Sequence, residues 1–110
     1  MRDELYGQID EAVKDELKAA KEVYPANNSR HESYAILREE FEELQSEFEQ
    51  LGYTLSLVWD KTKDNSPKDR MIQVLFEAGI TSRKLIAEAV QTSAMIEKFI
   101  EYMNNEGEDK

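Results

Sequence analysis

Two apolar stripes at helical spacing constrain this chain more than any other feature. Leu37, Phe41, Leu44, Phe48 and Leu51 recur at intervals of four, three, four and three, the pattern of a helix that buries one face in a bundle. The stripe continues in register through Leu55 and Val58, with Trp59 beside it. Gly52 is a possible C-terminal cap, but the unbroken register predicts one helix to about Lys61, weakened at Gly52 by about 1 kcal/mol relative to alanine. The second stripe runs Met71, Leu75, Ala78, Ser82, Leu85, Ala89, Thr92, Ile96, Phe99 and Met103 without a slip. It predicts a last long helix, bent or divided near Gly79-Ile80-Thr81-Ser82. Nothing in the chain alternates in the way a sheet requires.

The remaining segments fit the same plan. Leu5, Ile9, Val13, Leu17, Ala20 and Val23 or Tyr24 stripe a first helix from about Asp3 to Val23, which Pro25 ends by forcing the residue before it out of the helical region. Asn28 or Ser29 is placed to cap the second helix, and a hairpin of the first two helices follows. Ser66, Pro67 and Asp69 read as N-cap, first helical position and acidic first turn of the last helix. The expected fold is therefore all-α, a long-helix bundle of three or four helices forming one domain over residues 1–104. A polar tail over 105–110 is expected to be disordered. A chain of 110 residues builds one modest core, so seams this long call for completion by a homo-oligomer, a dimer or tetramer.

Charge excludes several classes of function. With 24 acidic and 14 basic residues the formal charge is -10, which argues against nucleic acid and anionic membranes as partners. The chain has no cysteine, so neither disulfides nor thiolate metal sites are possible, and a cytoplasmic location is the simple expectation. No signal peptide opens the chain, and no apolar run approaches the roughly 18 residues that span a bilayer. The sequon Asn27-Asn28-Ser29 carries no meaning without secretion.

Within the second helix Glu40, Glu43 and Glu47 follow one another at three and four residues along the flank of the stripe. Like charges at that spacing repel, and carboxylates beside an apolar seam lose solvation. Compensation by a divalent cation such as Mg2+, a taker of oxygen ligands, is one reading; a solvated helix face is the other. Glu88, with Gln91 one turn on, flanks the seam of the last helix. If the two helices pack together, these groups face Glu40 and Glu43.

The run His31 to Leu44, containing Glu39-Glu40-x-x-Glu43, is followed about 45 residues later by Glu88-Ala89-Val90-Gln91-Thr92-Ser93-Ala94-Met95 and a helix ending Lys98-Phe99-Ile100. Over roughly Ser29 to Met103 this resembles the small bacteriophage and prophage proteins of the MazG-like, all-α nucleoside triphosphate pyrophosphohydrolase superfamily. The resemblance implies Mg2+-dependent hydrolysis of a nucleoside triphosphate to monophosphate and pyrophosphate. It places Glu40, Glu43 and Glu88 on the metal, with Glu39 or Glu43 as the base that orients water. Gln91 stands where active members carry aspartate, and an amide is a weaker ligand for a hard cation. Lys84, or Arg83, is the expected phosphate contact; an ordinary solvated cation is the alternative for each. His31 and Tyr34 are expected either at a base or ribose or in capping and packing, and Trp59 in the core. A non-catalytic acidic helical protein that binds a protein partner, or a structural oligomer, needs only the charge and the bundle.

Overall fold

Helix formation follows the stripes closely. The computed structural model describes residues 2–106 and contains α1 (Asp3–Val23), α2 (Arg30–Lys63) and α3 (Lys68–Asn105), with no strand among the described residues. The protein is thus an all-α helical bundle of three long helices. Both glycines in question are passed without interruption, since Gly52 lies inside α2 and Gly79 inside α3.

Local chemistry explains the boundaries. Ser29 caps α2 by accepting the Glu32 amide at 3.0 Å, while the Glu32 carboxylate takes the backbone N–H of Asn28 at 3.1 Å, a variant of the reciprocal capping box. At the far end Asn65 adopts φ 51°. The amide of Ser66 reaches Lys61 O at 3.0 Å and that of Asn65 reaches Thr62 O at 3.3 Å, the paired bonds of a Schellman motif with asparagine in the left-handed position. Ser66 is therefore spent on closing α2 and does not cap α3. Pro67 takes that place with no side-chain cap bond, one residue later than the expected start. α3 also runs through Asn104 and Asn105, and Glu106 after it chelates Arg30 at 2.6–3.1 Å. The rest of the expected tail, from Gly107, lies outside the described residues.

α2 and α3 form an antiparallel pair along their whole length, held together at one end by Arg30 and Glu106 and at the other by the turn at 64–67. α1 does not form the expected hairpin with α2: no Cα of α1 comes within 8 Å of one in α2, and α1 packs on α3 instead. Its contacts fall between Gln91 and Glu101 of α3. The 24–29 loop is what allows this crossing, and it is anchored by Asn27, buried with its Nδ2 donating to Ser33 Oγ at 2.8 Å.

The buried seam consists of small residues. Ser33, Thr54, Ala78, Thr92 and Ala94 are buried, whereas Phe41, Phe48, Leu75, Ile96 and Met103 of the two stripes are exposed. Trp59, expected in the core, is also exposed and only stacks beneath Lys63 at 5.6 Å. Two helices meet along one line, so each stripe, wide enough for a bundle, keeps one edge uncovered. The molecule measures 67 × 30 × 23 Å, with a radius of gyration of 18.6 Å against about 13 Å for a compact chain of this length.

Candidate functional site

The packing of α2 on α3 brings three glutamates together. Glu40 and Glu43 stand one turn apart on α2, Glu88 faces them from α3, and one carboxylate oxygen of each lies within 4.8 Å of the other two. Glu40 and Glu88 are half-buried and Glu43 is exposed. One oxygen each of Glu40 and Glu88 (Oε2) is inaccessible to water and lacks a hydrogen-bond partner. Unsatisfied buried carboxylate oxygens are costly. No lysine or arginine among the described residues forms an ion pair with any of the three.

The electrostatics follow from that arrangement. Burial raises the Glu40 carboxyl above its ordinary range, and the charges of Glu43, Glu88 and Glu39 push it further. Glu88 is raised in the same way, by burial first and then by Glu43 and Glu47. Two half-buried acids thus bind protons more readily than usual, the response of carboxylates that share space without a counter-charge. Three carboxylates are a donor set that suits a hard divalent cation, which takes oxygen ligands.

The other expected site residues are distributed unevenly. Gln91 lines a cleft of about 230 Å3 with Glu16, Ala20, Glu40 and Met95, so it does face Glu40, and α1 closes that side. Glu39 is exposed beside Glu40 and contributes to its raised proton affinity. Lys84 is exposed and makes no ion pair with the glutamates, and the Arg83 guanidinium reaches back over Gly79, in the direction away from Glu88 along the helix. His31 and Tyr34 border a shallow apolar cleft with Arg30 and Phe99, apart from the carboxylates.

Two polar residues escaped the sequence argument. Glu16 belongs to a helix expected to pack elsewhere. Lys98 is buried, and its signal was the row Gln91, Ala94, Lys98, Tyr102 and Asn105, spaced at helical intervals one step off the apolar stripe; that row faces α1 and the 24–29 loop. No helix among the described residues is long and apolar enough to cross a membrane. No protein-family model matches this sequence, and no curated protein or solved structure does so either.

Proposed function

We propose that this chain is a MazG-like nucleotide pyrophosphohydrolase that acts as a homo-oligomer and uses Mg2+ to hydrolyse a nucleoside triphosphate to monophosphate and pyrophosphate. The observation that carries the reading is the meeting of Glu40, Glu43 and Glu88 from two helices, with inward oxygens that have no partner of their own. The motif resemblance in the sequence and the all-α fold point the same way.

In this reading Glu40, Glu43 and Glu88 hold the cation, with the Gln91 carbonyl beside them. A divalent cation held by these residues would supply the charge that neutralises phosphate oxygens and the leaving pyrophosphate. Glu39, exposed next to the centre, orients the attacking water and accepts its proton. Lys84 supplies charge to the phosphates by extending from α3 one turn before Glu88. The neutral Gln91 leaves the site with one carboxylate fewer than the superfamily motif, so turnover is expected to be slow. The same residue favours a second reading, in which the bundle is kept without catalysis and its acidic surface binds a protein partner.

The homo-oligomer is supported by surface area. A compact monomer of 12.8 kDa exposes roughly 6,300 Å2, and this chain exposes 8265 Å2. The difference is of the size that a stable interface removes.

The test is pyrophosphate release from a panel of ribo- and deoxynucleoside triphosphates with and without Mg2+, in wild type and in Glu40→Gln. Mg2+-dependent release from at least one nucleotide, lost in the variant, is the expected result. Absence of release together with undetectable Mg2+ binding overturns the enzyme reading in favour of the partner-binding one.

A further inference from the structure

Toward the turn at 64–67 each helix of the α2–α3 pair carries a second apolar row beside the buried seam. On α2 it runs Phe48, Gly52, Leu55 and Trp59, and on α3 Ile72, Phe76 and Gly79, at the three- and four-residue steps of one helix face. All five large side chains are exposed. Leu55 follows the buried Thr54 as Gly79 follows the buried Ala78, a displacement of about 100° from the seam in both helices. Because the helices run antiparallel, equal displacements emerge on the same side, so the two rows form one face. Gly52 lies thirteen residues before Asn65 and Gly79 thirteen after Ser66, which sets them level at its middle. A Cβ on Gly52 would meet nothing within 4 Å, and one on Gly79 would meet the Arg83 side chain. Each glycine costs its helix about 1 kcal/mol relative to alanine, and no neighbouring helix of the chain requires either to be small.

Charge separates this face from the rest of the molecule. Residues 48–85 hold six basic and five acidic side chains, a net +1, while the remainder holds eight and 19, a net -11. Two copies of a chain with formal charge -10 repel one another through most of their surface. They do not repel through this segment. A nearly neutral apolar face offers little field to a strongly charged partner and matches its own image, which is what a two-fold contact requires. The area in excess of a compact monomer, noted above, leaves room for the roughly 800 Å2 per partner of a standard interface.

We infer that this face binds the same face of a second copy, antiparallel, so that Gly52 meets Gly52 across the two-fold axis and the acidic halves point to opposite ends. The inference rests on the homo-oligomer of the proposed function, to which it gives a surface and an arrangement, and not on the carboxylate chemistry. Glycines at the crossing let the backbones approach closely, with Phe48, Leu55 and Trp59 of each copy packing on either side of them.

Sedimentation of the full-length protein and of single variants tests the surface. Wild type should be a dimer at micromolar concentration. Leu55→Glu and Ile72→Glu should each raise its dissociation constant at least about tenfold, whereas Val23→Glu, an equally exposed apolar position on the acidic half, should leave it unchanged. Raising sodium chloride from about 50 to 500 mM screens the acidic halves and should not weaken the dimer; weakening identifies a head-to-tail contact between the neutral segment and an acidic half and overturns the arrangement. The chain has no cysteine, so oxidation of Gly52→Cys should give a covalent dimer and oxidation of Val23→Cys should not. A Gly52→Cys variant that sediments as a dimer but does not cross-link overturns the antiparallel order. A dimer that both glutamate variants leave intact overturns this face while keeping the homo-oligomer, and a monomeric wild type overturns both. Pyrophosphate release, read separately, stands apart from these outcomes: a monomer that releases it sinks the present inference, and a dimer that does not sinks the catalytic reading.

Discussion

The two ends of the α2–α3 pair solve the same packing problem in opposite ways. Where the chain enters α2 and leaves α3, α1 crosses over the pair and the polar groups are partnered within the chain: Asn27 with Ser33, Arg30 with Glu106, Lys21 with Glu101. Beyond Phe48 there is no third helix. There Phe48, Tyr53, Trp59, Ile72, Leu75 and Phe76 are exposed, Phe76 by 67%. A soluble surface rarely carries apolar side chains at this density without a partner. One end is closed by the chain itself, and the other leaves its apolar side chains uncovered.

Breaking the open end should have the largest effect. Trp59→Glu combined with Phe76→Glu changes exposed side chains that an isolated monomer would tolerate within about 0.5 kcal/mol each. If a second copy covers them, the variant should become monomeric by light scattering and lose several kcal/mol of stability, since aromatic anchors dominate such interfaces. Unchanged mass and midpoint in urea would return the open end to solvent.

The carboxylate centre, on the closed half, has a pH signature of its own. Glu40 and Glu88 hold protons more tightly folded than unfolded, so their stabilising contribution is complete below the ordinary glutamate pKa and is lost as pH rises through their raised folded values. Without divalent cations, these two groups make the protein more stable as pH falls from 7 toward 5, and Glu40→Gln should flatten that slope in thermal melts. At pH 7 Mg2+ should raise Tm, and less so at pH 5 where protons compete with it. A pH-independent Tm, or no response to Mg2+, would speak against a coupled metal-binding cluster.

Gln91→Asp separates catalysis from its absence by sign. With Mg2+ bound, the added carboxylate should tighten the metal and raise Tm and hydrolysis. In a bundle that holds no metal, it repels Glu88 and Glu40 and should cost up to about 1 kcal/mol. Melts of both proteins with and without Mg2+ read the difference.

The smallest effects sharpen the contrast between the ends. Ser29→Ala removes the cap of the closed end and should cost about 1 kcal/mol. Gly52→Ala, at the open end, adds a methyl that meets nothing within 4 Å in the monomer, so helix propensity alone should yield a gain of up to about 1 kcal/mol. A loss in urea denaturation would instead place a second copy against that face.

What the sequence determined by itself was local. The first helix from Asp3 to Val23, its end before Pro25, the Ser29 cap and the passage of α2 through Gly52 all follow from propensity, capping and register, which act within a few residues. Glu40 and Glu43 were legible because helical spacing alone puts them on one side, and their meeting with Glu88 because apolar seams must face each other. Periodicity identifies a face but not the neighbour that covers it. Tertiary structure decided that α1 lies on α3 and not on α2, and with that placement came the burial of Lys98, the position of Glu16 beside Gln91 and the exposure of Trp59. The physical reason is that burial depends on contacts between residues far apart in sequence, and three helices with equally apolar stripes can satisfy them in more than one arrangement.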